Sequence, residues 1–167
     1  MIQDMNYLSM LFINLLLVGA WHGTTFLLST RMPDSDFQPS EGLFHPWKWE
    51  KGGRWYRDHL HINDWKDRVP QFVSADGFSK KHITDMSVEY LNQFISETCR
   101  GEWMHTWNLG SIALTLLVNQ SMVGVTFSVL IFMGNVPCTL IQRYNRFRLE
   151  ILRKKLQRDA VRMVAAV

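Results

Sequence analysis

Residues 7–29 read YLSMLFINLLLVGAWHGTTFLLS, and no residue between Asp4 and Arg31 carries a fixed charge. About 20 apolar residues are enough to cross the hydrocarbon of a bilayer as a helix. A second stretch, from Glu102 to Arg143, is equally free of fixed charge and too long for one ordinary span, with a turn at its polar cluster Asn119-Gln120-Ser121 and a first arm rather short for a full crossing. These two runs decide the fold class: a mainly α, integral membrane protein of one membrane-embedded domain, residues 1–167. Four parts are expected: an N-terminal transmembrane helix over 7–29, an interfacial aromatic-rich segment over 31–102, a transmembrane helical hairpin over 103–142, and a basic amphipathic tail helix over 143–167.

Thr30-Arg31-Met32-Pro33-Asp34 ends the first run, because proline disfavours helix at the residue before it and cannot extend the ladder. Gly19, Gly23, Asn14 and His22 interrupt the run and suggest a packed face. His22 is a candidate buried proton carrier or a hydrogen-bonded interfacial histidine. Met1 to Asn6 lack the positive charge of a secretory leader, so the first run is expected to stay as an anchor.

Between Phe37 and Phe72, Trp47, Trp49, Trp55, Tyr56 and Trp65 alternate with lysines and arginines. That is the composition of a membrane–water interface, the other reading being a small core built on tryptophan. From Ser87 to Glu102, Val88, Leu91, Phe94 or Ile95, and Thr98 or Cys99 recur at helical spacing, with Thr84, Asp85 or Ser87 as N-cap. In the tail, Leu149, Leu152, Leu156 and Met163 recur between basic residues, the pattern of a helix lying on a membrane or a partner.

Charge is asymmetric: ten Lys/Arg face thirteen Asp/Glu before Gln142, and eight face two after it. By the positive-inside rule the N-terminus is expected outside, with the middle segment and tail on the cytoplasmic face of a bacterial cell membrane. A basic tail beside a hydrophobic run has a lipid explanation first, so nucleic acid is not an expected partner. Cys99 and Cys138 form no disulfide framework. His59-Leu60-His61-Ile62-Asn63-Asp64 contains a His-x4-Asp spacing and a His-x-His pair, but no matching ligand set accompanies them, and neither a metal nor a cofactor is expected.

Two clusters carry the candidate chemistry. In Glu97-Thr98-Cys99-Arg100-Gly101-Glu102-Trp103-Met104-His105, helical spacing puts Glu102 with His105 and Glu97 with Arg100. A carboxylate beside an imidazole suits a general base acting on a hydroxyl, while the plainer reading is an ordinary ion-paired helix. In the second cluster, Asn135-Val136-Pro137 is followed by Gln142-Arg143-Tyr144-Asn145-Arg146-Phe147-Arg148, where three arginines offer a clamp for phosphate or carboxylate. A positive-inside anchor is the alternative there.

These motifs, with Thr30-Arg31-Met32-Pro33-Asp34, Trp49-Glu50-Lys51 and Trp65-Lys66, resemble the glycosyl-4,4'-diaponeurosporenoate acyltransferase family of bacterial membrane proteins. Two positions depart from the family pattern: Phe147 stands where proline is usual and Cys99 where lysine is. The resemblance implies transfer of a fatty acyl group to a sugar hydroxyl of a glycosylated carotenoid or similar lipid. The donor would be an acyl-CoA or acyl carrier protein. His105, Glu102 and Glu97 are then the expected catalytic residues. Arg100, Asn135, Gln142, Arg143, Tyr144, Asn145, Arg146 and Arg148 are the expected substrate-binding ones. No serine or cysteine stands in a nucleophile motif, which favours direct transfer. The competing reading is a noncatalytic accessory subunit of a larger membrane complex that binds neighbouring helices, pigments or lipids.

Overall fold

A computed structural model describes residues 6–69 and 87–165. The candidate caps Thr84 and Asp85, and residues 1–5, lie outside them. Among the described residues all regular structure is helical: α1 (Tyr7–Arg31), α2 (Arg54–Leu60), α3 (Ile62–Trp65), α4 (Val88–Asn108), α5 (Gly110–Val118) and α6 (Met122–Ala165), with short 3-10 turns between α1 and α4. The chain divides into two compact units, one of Met1–Pro33 with Gly101–Thr139, the other of Asp34–Arg100 with Leu140–Val167.

In the first unit, α1 begins where the Asn6 side chain accepts the Ser9 N–H at 2.9 Å, and it ends at Met32, one residue before Pro33. α1 and α6 are both long and apolar enough to cross a membrane. The packing of this unit is inverted relative to a protein in water. Asn14, Thr25, Ser29, Asn108, Ser111, Thr115, Asn119, Ser128 and Asn135 are buried, whereas Leu8, Phe12, Leu117 and Met133 are more than half exposed. Burying hydroxyls and amides is favourable only where they bond each other or the backbone. The exposed leucine and phenylalanine side chains leave a broad apolar surface on this unit.

The packed stripe of α1 is Met10, Asn14, Thr25 and Ser29. Of the positions expected on a packed face, Asn14 lies in this stripe, whereas a methyl group added at Gly19 or Gly23 would meet nothing within 4 Å. α4 ends at Asn108 and α5 restarts at Gly110, so the expected first arm of the hairpin is broken, and α5 with nine residues is far shorter than a crossing. The turn at 119–121 is a hydrogen-bonded cap: Asn119 Oδ1 accepts the Ser121 N–H at 3.0 Å and Ser121 Oγ accepts the Val123 N–H at 3.2 Å. Ser121 Oγ also lies 3.8 Å from Met10 Sδ, which brings the turn beside the N-terminal part of α1.

α6 runs 44 residues through Pro137 without ending, and the division between the two units falls within it, after Thr139. Proline removes one ladder hydrogen bond, and one lost bond does not outweigh the packing on either side of it.

The second unit packs in the ordinary sense, with apolar groups inside. Tyr56, Ile62, Ile141, Tyr144 and Phe147 form one cluster, against which Trp55 and Trp65 pack, while Trp47 and Trp49 stay exposed. The tryptophan-core reading therefore accounts for half of the aromatic segment. Leu91, Phe94 and Ile95 of α4 close over Leu149 of α6, with Leu152 and Leu156 alongside, so a helix of the same chain covers the apolar face of the tail. Ser87 caps α4, its Oγ accepting the Tyr90 N–H at 3.2 Å.

The turn at 119–121 depends on Gly124, where a Cβ would stand 1.8 Å from the Asn119 backbone oxygen. Gly124→Ala should therefore destabilise the first unit by about 1–3 kcal/mol, as overpacking does. Gly134→Ala, which faces open space, should be neutral or stabilising by up to about 1 kcal/mol through helix propensity. Thermal unfolding in detergent compares the two, and equal behaviour would remove the close approach as a determinant of the turn.

Candidate functional site: a histidine–asparagine chain and a buried arginine network

Within the first unit, polar side chains of α1, α4 and α6 form one hydrogen-bonded chain. Asn135 Nδ2 donates to the Ile131 carbonyl at 2.9 Å, which aims Oδ1 away from its own helix. That oxygen accepts the Asn108 Nδ2–H at 3.2 Å and stands 3.0 Å from His105 Nδ1. Asn108 Oδ1 in turn accepts the Thr25 hydroxyl at 2.5 Å. The directions are mutually determined. Turning the Asn135 amide round would set its oxygen against the Ile131 carbonyl, acceptor to acceptor. An oxygen facing Nδ1 requires that nitrogen to carry the proton, so in the neutral ring the lone pair is on Nε2.

α1 also supports the break at Leu109. Trp21 Nε1 donates to the Trp107 carbonyl at 2.9 Å, and the Ser111 hydroxyl donates to the Asn108 carbonyl at 2.7 Å. His22 Nε2 lies 3.4 Å from Ser111 Oγ. The last carbonyls of a helix lack intrahelical partners, and these side chains supply them.

Within the second unit, the arginines after Gln142 meet the segment around Glu50. Arg143 Nε donates to Glu50 Oε1 at 2.5 Å, and its terminal nitrogens donate to Glu50 Oε2 at 3.0 Å and to the Leu43 and His45 carbonyls at 2.9 and 2.8 Å. The Tyr56 hydroxyl and the Trp47 N–H complete the shell of the carboxylate, each at 2.5 Å. Burial alone would push the Glu50 carboxyl up, but the hydrogen bonds from Arg143, Tyr56 and Trp47 outweigh it and hold it below its ordinary value. Burial, and then the Glu50 carboxylate, push the Tyr56 phenol upward, so it stays a donor.

Arg146 is fully buried, donates to the Phe44 carbonyl at 3.1 Å, and lies 3.7 Å from Cys99 Sγ. Arg148 is exposed, 5.9 Å from the Tyr144 ring, and the Tyr144 hydroxyl donates to Asn63 at 3.0 Å. Gln142 Oε1 is buried with no hydrogen-bond partner among the described residues, and Asn145 is half-buried. Arg100 bridges Glu97 at 3.3 Å and Asp34 at 2.5 Å and stacks 4.3 Å above Phe37. Glu102 is buried in α4.

The sequence-derived residues thus fall into separate groups. His105 meets Asn135; Glu97 meets Arg100; Arg143 and Arg146 hold carbonyls of the 43–45 turn. Thr25, Asn108 and Tyr56 stand outside the sequence-derived site, and Glu50 entered only within the Trp49-Glu50-Lys51 motif. Asn108 is an amide in a charge-free run, which is a signal for a buried polar contact; the sequence does not show which groups a fold will bring to Glu50. His59 stacks on Trp55 with its Nδ1 3.2 Å from the Trp55 carbonyl. Among the described residues no group of three or more His, Cys, Asp or Glu side chains has a metal-binding arrangement.

The sequence profile of the glycosyl-4,4'-diaponeurosporenoate acyltransferase family matches residues 40–155, which include the Glu50 turn, all of α4 and α5, and both arginine and asparagine positions. The chain belongs to this family. Curated relatives named glycosyl-4,4'-diaponeurosporenoate acyltransferase, from Staphylococcus aureus strains MRSA252, Newman and N315, are 27% identical over 139 residues, 81% of this chain and 82% of theirs. No solved structure matches.

The Arg143–Glu50 pair is testable as a structural element. Glu50→Ala leaves a buried, uncompensated arginine and should cost about 3–5 kcal/mol. Tyr56→Phe should cost about 1–3 kcal/mol. Because the folded carboxyl is held low, its contribution is fully present above its unfolded value of about 4.3 and is lost as the pH falls through the folded value. Unfolding followed against pH should show that acid loss in the parent protein and not in Glu50→Gln.

Proposed function

We propose that this protein is a membrane-embedded acyltransferase that moves a fatty acyl group from a thioester donor to a sugar hydroxyl of a glycosylated carotenoid or similar lipid. The observation that carries the reading is His105, held by Asn135 with its basic nitrogen at Nε2 inside a unit whose outer surface is apolar. Family membership supplies the substrate class.

In the proposed reaction, Nε2 takes the proton of the acceptor hydroxyl as the sugar oxygen bonds to the acyl carbonyl carbon. The tetrahedral oxyanion collapses, the carbon–sulfur bond breaks, and the imidazolium returns the proton to the departing thiolate. The donor is an acyl-CoA or an acyl carrier protein, and Arg148, exposed on α6, is the arginine assigned to its charged portion. Arg143 and Arg146 act instead by holding the 43–50 turn on α6, so lysine at either position is a test of folding. Asn135 acts as a positioning residue and not as a substrate ligand.

His105→Ala should lower turnover by about 10²- to 10⁴-fold in a protein that still inserts, whereas His59→Ala should stay near the parent. Asn135→Leu should lower kcat more than it raises KM and shift the pH–rate profile, because the imidazole loses its tautomer partner. Equal, small losses at His105 and His59 would end the assignment.

The proposed arrangement has the N-terminus outside and the middle segment and tail cytoplasmic, in a bacterial cell membrane. The contact between Met10 and Ser121 supports it by bringing the 119–121 turn to the N-terminal end of α1. In a background lacking Cys99 and Cys138, cysteines at Ser35 and Arg162 should label from one side and a cysteine at Gln120 from the other. Labelling of Ser35 and Arg162 from opposite faces would overturn the topology.

A further inference from the structure

The first unit contains a groove of about 510 Å³ between α1, the end of α4 and α5, whose walls include Leu17, Ala20, Trp21, Leu28, Trp103 and Trp107. We infer that this groove holds the hydrocarbon tail of the acyl group during transfer, an inference that rests on the acyl-transfer reading above. The volume lies within the range of about 300–1,000 Å³ typical of small-molecule sites.

What the walls offer excludes a charged occupant. No charged residue lines the groove. Three of its polar side-chain atoms are committed within the protein: Trp21 Nε1 to the Trp107 carbonyl, Thr24 Oγ1 to the Ala20 carbonyl, and Thr25 Oγ1 to Asn108 Oδ1. A nucleotide or a phosphate placed there would lose its hydrogen bonds to water and meet no cation, and the side chains leave a sugar only the indole N–H groups of Trp103 and Trp107. A hydrocarbon chain loses nothing.

Two further observations separate a substrate chain from bulk lipid. Thr25 belongs both to the groove wall and to the chain Thr25–Asn108–Asn135–His105, so the groove is continuous with the hydrogen-bonded network that holds the proposed base. The wall is also fixed in shape. The Trp21 ring is tied through Nε1 and lies so close to Gly110 that a Cβ there would stand 2.9 Å from it. A wall that cannot swing keeps the groove's shape constant, and a groove of constant shape discriminates chain length, by about 10- to 200-fold for each methylene that fails to fit.

The test uses the full chain in nanodiscs, with octanoyl and hexadecanoyl donors and a hexadecanoyl donor carrying a terminal photoreactive diazirine. Ala20→Phe places a ring in the groove, and Leu15→Phe places one on an exposed part of α1 that does not line it. Photolabelling should be saturable, fall on peptides containing Trp103, Trp107 or Leu28, be displaced by unlabelled hexadecanoyl donor, and be lost in Ala20→Phe alone. Ala20→Phe should also raise KM at least about tenfold for the hexadecanoyl donor and leave the octanoyl donor unchanged. Labelling that does not saturate, that survives Ala20→Phe, or that yields to a carotenoid but not to the unlabelled donor would overturn the groove assignment. Transfer with an unchanged chain-length preference would overturn it while leaving the acyltransferase reading intact. Saturable groove labelling without transfer to any glycosylated acceptor would do the reverse.

Discussion

Hydrogen bonds between polar side chains of charge-free helices organise the first unit, although Asn14 Oδ1, Thr106 Oγ1, Thr115 Oγ1 and Asn119 Nδ2 are buried without a partner among the described residues. Asn14 returns its amide to the Met10 carbonyl, Ser128 its hydroxyl to the Gly124 carbonyl, and Asn135 its amide to the Ile131 carbonyl, each one turn back on its own helix. Asn108 and His105 have found partners on other helices, and the Thr25 hydroxyl lies within hydrogen-bond distance both of the His22 carbonyl on its own helix and of Asn108 Oδ1. These few interhelical bonds and close contacts join the helices of the unit. The same bonds place one imidazole in a defined tautomer. Structure and candidate chemistry therefore depend on one set of interactions.

The broken passage from α4 to α5 depends on hydrogen bonds of the same kind. A helix end exposes carbonyls without intrahelical partners, and a break away from water is stable only where side chains take over. Trp21 and Ser111 do so, and Gly110 admits the indole. The groove beside the break is a consequence: a ring anchored through its nitrogen presents its apolar body as a wall.

The second unit is held by the opposite economy of forces, burial of apolar area around one buried charge pair. A lone Arg143 or Glu50 in that position would be severely destabilising. Together with Tyr56, the Trp47 N–H and two carbonyls they form a satisfied network that fixes one conformation of the 43–50 turn. Motif residues that look like a ligand clamp in a sequence can thus serve the fold, and the exposed Arg148 is the position where charge remains at the surface.

The helical class, the two charge-free runs, the α4 stripe and the family were all legible in the sequence, because charge-free length and 3.6-residue periodicity are local properties of the chain. His105 and Asn135 were singled out there too, through the motifs that contain them. Three features were decided only by the tertiary structure. The face that α1 packs is the 10, 14, 25, 29 stripe, which includes the expected Asn14 but leaves Gly19 and Gly23 in open space, because a glycine permits close approach without requiring it. The partner of His105 Nδ1 is Asn135, 30 residues away, since helical spacing specifies which residues share a face but not what lies opposite. Arg143 is committed to Glu50, 93 residues away, a pairing set by where the turn docks on α6 and written in no local pattern.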